Sequence, residues 1–191
     1  MKENTGNIQT KLILMKLKKI LLIISAILFV TASLSAQNYK YIGADKCKLC
    51  HNKAATGEQY NKWFAGPHAN ALKSLTNEAS LAYAKKNGIA DPAKDAKCLE
   101  CHSTFATIPG GANMGLKENE GVSCETCHGA GSAYKAATIM KSQETSIKNG
   151  LIVPDEDLCK KCHNPSNPFH KEFNYKTYSE KFAHPNPAAA K

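Results

Sequence analysis

The sequence predicts a mainly α fold with sparse regular structure, closed around bound groups more than around its own side chains. Three observations predict it. The chain of 191 residues carries eight cysteines, and all of them fall in one five-residue unit that occurs four times. Once an N-terminal targeting segment is set aside, about 155 residues remain, fewer than 40 per unit, too few to build a large core of side chains as well. No run shows the period-two alternation of a half-buried strand.

The N-terminus reads as a targeting segment. Met15-Lys16-Leu17-Lys18-Lys19 is basic, residues 20–30 are apolar, and Thr31-Ala32-Ser33-Leu34-Ser35-Ala36 supplies small residues for cleavage. Residues 1–36 are therefore expected to be an upstream extension plus a signal peptide starting at Met15 and cut after Ala36, although Leu34 is not the best residue for its position. Residues 37–191 are expected to form one domain, periplasmic or otherwise exported. The alternative is an uncleaved membrane anchor, but the apolar run is short of the roughly 20 residues a span needs. Membrane association is expected only in that case.

The repeated unit is Cys-x-x-Cys-His. It occurs as Cys47-Lys-Leu-Cys50-His51, Cys98-Leu-Glu-Cys101-His102, Cys124-Glu-Thr-Cys127-His128 and Cys159-Lys-Lys-Cys162-His163. This spacing is the attachment signature of haem c. Two thiols add to the two vinyl groups of the porphyrin, and the next residue's imidazole lies beneath the iron as proximal ligand. Four disulfides or paired zinc-binding units would also use eight cysteines, but neither requires a histidine after every second cysteine. With seven histidines in the chain, that recurrence by chance is on the order of one in 10⁵ to 10⁶. Four covalently bound haem c groups are the expected cofactors.

Every basic residue is lysine, and the whole chain has a formal charge of +9. Removing residues 1–36 takes five lysines and Glu3, leaving 20 lysines against 15 acidic residues, about +5. Oxidised haems, each with two propionates against a core of charge +1, would subtract about 4 more. A holoprotein near neutrality, without arginine, does not fit nucleic-acid binding, and its sequence pI names no acidic partner.

The units begin at 47, 98, 124 and 159, with no fixed period. Helices are expected over 55–63, 77–86, 132–140 and 175–182, each bounded by Gly, Pro, Asn or Ser. Residues 107–115 read as a connection and 185–191 as a poorly ordered tail.

Four irons take His51, His102, His128 and His163 as proximal ligands. Three histidines remain, His68, His170 and His184, so one iron at least has methionine, another group or an open position opposite its proximal histidine. Axial ligation sets potential and decides whether an iron can bind a small molecule. His68, after Gly66-Pro67, and His184, before Pro185, are the favoured distal ligands. His170 sits in a polar loop and is less favoured. Met140, ending an amphipathic segment, is a candidate against the commoner use of methionine in packing; Met114, in a glycine-rich loop, is a weaker one.

These residues resemble the tetrahaem cytochrome c-554 family over nearly the whole mature chain. The resemblance rests on the four motifs, on Trp63 followed by His68-Ala69, on Cys127-His128-Gly129 opening a glycine turn, and on the late His184-Pro185. It implies a small, mainly helical multihaem cytochrome c fold, haems packed in close pairs, and periplasmic electron transfer. It also implies that His68 ligates the haem of the fourth motif, that His184 ligates that of the third, and that the second haem is high-spin and five-coordinate. One departure matters. The family's prototype has a histidine shortly after the third motif that serves the first haem, whereas this chain has none between His128 and His163. Met140 is the nearest ligand-capable residue, which makes His51/Met140 coordination the expectation for the first haem.

The expected function is electron transfer between redox protein partners, donor and acceptor unnamed. The competing reading is a haem enzyme that reduces or oxidises a small nitrogen or oxygen species at an open iron, with the haem of His102 the place for it. No distal acid, base or arginine cluster can be assigned from the sequence to serve such catalysis. A membrane-anchored quinol-oxidising cytochrome is a third reading and requires the N-terminal segment to remain attached.

Overall fold

The computed structural model describes residues 13–19, 39–110, 115–185 and 187. The apolar run 20–30, the cleavage site after Ala36 and Met114 lie outside the described residues. The chain divides into two compact units, Met1–Asn38 and Tyr39–Lys191. In the first, residues 13–19 are helical. Among the described residues, no helix is long and apolar enough to cross a membrane.

The second unit is mainly α, with short helices and no strand among the described residues. Local signals set where the helices start. Asn77 accepts a bond from Ser80 N and opens Glu78–Lys86, which closes with two lysines in its last turn. Asn174 does the same through Thr177 N for Tyr175–Phe182. Both caps supply an acceptor to an amide that the helix itself leaves unpaired.

Two expected helices are shorter than the sequence predicts. Over 55–63 the structure has a 3₁₀ turn, Ala54–Thr56, and then a separate helix, Gln59–Ala65. Gly57 at φ 101° and Glu58 at φ 53° carry the chain out of helical geometry between them. A Cβ on Gly57 would lie 2.4 Å from the carbonyl oxygen of Pro185. Over 132–140 only Ala137–Met140 is helical. Ser132 is occupied instead in pairing with Lys40, its N–H donating to Lys40 O at 3.1 Å and its Oγ accepting from Lys40 N at 2.8 Å.

The side-chain core is small. Among the described residues its buried apolar members are Ala44, Tyr60, Leu75, Ala84, Leu116 and Tyr134, while Phe64, Leu81, Ile152, Phe169 and other large apolar residues stand exposed. The largest fully buried side chain is a carboxylate, Glu125, at 1% exposure. So much uncovered apolar surface beside so slight a core is what a protein shows when apolar groups other than side chains complete its interior.

Candidate cofactor site

The first three Cys-x-x-Cys-His units lie within helices, Ala44–His51, Ala96–His102 and Cys124–His128. The fourth begins in Glu156–Lys160 and runs into a turn in which Cys162 N and His163 N both donate to Cys159 O. Asp95 and Asp155 cap the second and fourth of these helices with their side chains. On a helix, residues three apart share a face, so each pair of thiols is presented to one side. None of the eight cysteines is in a disulfide. Among the described residues, no group of three or more His, Cys, Asp or Glu side chains is arranged to hold a metal ion.

The motifs meet in pairs. Cys47 of the first interacts with Cys124 of the third, and the helices that carry them pack together. Cys101 of the second interacts with Cys162 of the fourth. The neighbouring Cys47, and then burial, pushes the Cys124 thiol up; burial pushes Cys127 up and takes Cys162 to about 12. Thiols held neutral in this way are poor metal ligands, which must be thiolates, but they carry no charge to lose on becoming thioethers.

The histidines of the first three motifs, and His184, are oriented through Nδ1. His102 Nδ1 lies 2.8 Å from Ala71 O and 3.1 Å from Ser74 Oγ, and His128 Nδ1 lies 3.2 Å from Ile152 O. His51 Nδ1 is 3.3 Å from the side-chain oxygen of Gln59, and His184 Nδ1 is 2.8 Å from Phe182 O. A carbonyl oxygen can only accept, so each of these Nδ1 atoms carries the proton and Nε2 keeps its lone pair for a metal. Burial holds His68, His128 and His163 below the usual imidazole range, which favours the neutral, ligating form.

Two pairs of imidazoles face one another across the fold. His68 and His163 have ring centroids 6.0 Å apart with planes at 76°, and His128 and His184 have centroids 6.0 Å apart with planes at 80°. Imidazoles on opposite sides of one metal, each nitrogen about 2 Å from it, keep their centroids roughly 6 Å apart. One helix supports both pairs: Tyr175–Phe182 sets Phe182 5.1 Å from His68 and Tyr178 6.4 Å from His163, then ends just before His184. Phe173 stacks on His163 at 4.9 Å.

His68 owes its position to Gly121. Val122 N donates to His68 O at 2.9 Å, and the backbones run so close that a Cβ on Gly121 would lie 2.7 Å from that oxygen. Gly121 also takes φ 66°, where other residues are strained. Trp63 Nε1 donates to Val122 O at 2.8 Å and secures the same strip.

The remaining candidates are placed as follows. Met140 is half-buried, with its sulfur 3.8 Å from Ser146 Oγ. His170 lies in the turn after the fourth motif, close enough to His163 to help depress it, and the neighbouring Phe169 packs on Tyr83 at 5.5 Å.

Sequence reasoning passed over two carboxylates. Glu125 fills a variable position of the third motif, yet its buried side chain accepts from Ile42 N at 2.9 Å, Gly43 N at 2.8 Å and Gly131 N at 2.6 Å. Burial raises its pKa against the pull of those amides. Glu120 accepts from Ala44 N at 3.2 Å and Lys117 N at 3.3 Å. Together they hold the residues that open the first motif's helix, so that the third motif positions the first. A variable position in a motif gives no sequence signal for this.

A family described as cytochrome c554 and c-prime matches residues 46–129, a range that spans the first three motifs. Cytochrome c-554 of Nitrosomonas europaea is 31% identical over 147 residues, which cover 73% of this chain and 60% of the relative. The chain thus spans less than two thirds of that relative's length. No solved structure matches.

Proposed function

Because the chain belongs to the cytochrome c-554 family, whose members are c-type cytochromes with covalently bound haem c, we propose that it is an exported electron carrier holding four such haems. The cysteines of the four motifs make the covalent links, and His51, His102, His128 and His163 bind the irons from the proximal side. His68 completes the iron of the fourth motif and His184 that of the third. The observation that carries this reading is the two pairs of neighbouring imidazoles, His68 with His163 and His128 with His184, each at a separation that one shared metal would allow.

Haem iron supplies reversible one-electron chemistry. The protein's part is to hold the ligands still. The Nδ1 bonds of His128 and His184 and the stacking of Phe173 on His163 fix the rings before and after an electron arrives, so little has to rearrange. For the first motif the chain offers Met140, whose sulfur would face a haem of higher potential than its bis-histidine neighbours.

A second reading is favoured by the ligand count. With seven histidines for four irons, one iron at least lacks a second histidine; the family resemblance implies that it is the iron of His102, where an open position would let a small nitrogen or oxygen species be reduced or oxidised. Electron paramagnetic resonance of the oxidised holoprotein tests both readings. Two low-spin bis-histidine signals support the carrier; their absence overturns the assignment. A high-spin signal that shifts with nitric oxide supports an open iron, and turnover of the added species is then required for an enzyme.

A further inference from the structure

An electron carrier needs a place where a partner can bring its own cofactor close, and the four attachment motifs differ sharply in how they face solvent. In a helix the two residues between the cysteines point away from the side that carries the thiols. They would stay outside a haem attached through those thiols. In the third motif this outer position is closed, since Glu125 is buried. In the second, Leu99 is half-buried and Glu100 is exposed. In the fourth, Lys160 is tied to Glu156 at 2.8 Å, and Asp155 and Asp157 share the same turn.

The first motif is different. Cys50 is the exposed cysteine, the other seven being half-buried. Leu49 beside it is 69% exposed. Lys46, Lys48 and Lys53 flank that leucine in the chain and are all exposed. Lys48 is steadied by the ring of Tyr60, 5.3 Å away. Asp45, at the start of the same helix, is paired with Lys117 and also feels the charges of Lys46 and Lys48. The result is an exposed leucine between two attachment cysteines, with three exposed lysines close to it in the chain.

We infer that the outer face of the first motif, formed by Lys46, Lys48, Leu49 and Lys53, is where this protein docks a redox partner, and that the partner is a protein with an acidic rim around its exposed cofactor. The overall charge of the holoprotein, close to neutral, does not lead there; the local arrangement does. Apolar contact at the centre and opposite charges at the rim combine close approach with fast, reversible encounter. This inference rests on the reading as a haem electron carrier.

The test is stopped-flow reduction of the oxidised holoprotein by reduced flavodoxin, an acidic one-electron protein donor. For the unaltered protein the second-order rate should fall as salt rises from about 10 to 300 mM, as screening of opposite charges requires. Lys46→Glu with Lys53→Glu should lower the low-salt rate about tenfold or more and flatten the salt dependence. Lys160→Glu with Lys161→Glu, on the rival face, should change it less than twofold. Leu49→Asp should slow the reaction at every salt concentration. A rate that is flat in salt for the unaltered protein, a first-motif variant within twofold of it, or an equal loss from the fourth-motif variant overturns the inference. Dithionite serves as the control. Failure of dithionite to reduce the haems would refute the carrier reading itself, whereas ready reduction with unmoved flavodoxin rates would refute only the docking face.

Discussion

His68 and His163 stand with ring centroids 6.0 Å apart and planes at 76°, although 95 positions of sequence separate them. Proline and glycine turns bring one, a cysteine motif brings the other, and the helix Tyr175–Phe182 packs an aromatic ring against each. The opposed pair of His128 and His184 repeats the relationship at the same distance. If each pair shares an iron, replacing one member has a local and countable effect.

His68→Ala is expected to convert one of the low-spin irons to high-spin and leave the others as they were. His184→Ala should do the same to a different iron. Magnetic circular dichroism of the oxidised holoproteins counts the low-spin fraction. Variants that keep every low-spin signal would remove these residues from coordination.

Met140→Ala is expected to abolish the sulfur-to-iron band at the red edge of the ferric spectrum and to lower the potential of one haem, since histidine–methionine ligation raises it. A spectroelectrochemical titration reads both effects. If the parent spectrum lacks the band, or if the variant leaves it in place, the contact of Met140 with Ser146 is packing and the first haem is ligated otherwise.

Glu125→Ala removes a buried carboxylate from three backbone amides and leaves them without an acceptor. At roughly 1–3 kcal/mol for each buried donor left unpaired, the loss should reach ~3 kcal/mol or more. Glu125→Gln keeps one acceptor oxygen and should lose about half as much. Guanidinium unfolding of the holoprotein, followed by circular dichroism, measures the two. Equal and small losses would show that the clamp on the first motif contributes little.

Gly121→Val places a β-branched side chain at φ 66° and 2.7 Å from His68 O. The backbone strain alone is expected to cost on the order of 1–3 kcal/mol. Because the displaced atom belongs to His68, the variant should also broaden or lose the same low-spin signal that His68→Ala removes. Thermal unfolding and resonance spectra of one sample check both; a stability loss without the spectral change would separate Gly121 from the ligand.

The sequence exposes the chemistry of this protein more readily than its architecture. The cysteine motifs are contiguous, so spacing alone reveals them. The helices Glu78–Lys86 and Tyr175–Phe182 were legible because Asn77 and Asn174 sit where a cap belongs and nothing interrupts the run that follows. The helices of the motifs themselves were not, since cysteine and histidine are indifferent helix formers and tertiary packing supports Ala44–His51 and Cys124–His128. The break at Gly57–Glu58 depends on Pro185 approaching from the far end of the chain. The role of Glu125 depends on Ile42, 83 residues away, and no local pattern encodes such a contact.

Intact-mass spectrometry of the denatured holoprotein purified from its native host counts the covalent haems and reads where the exported chain begins. One species is expected, the chain beginning at Gln37 plus four haem masses that acidified ketone does not extract. A mass with fewer haems, or haem that extracts freely, would rule out a chain with four covalent haems.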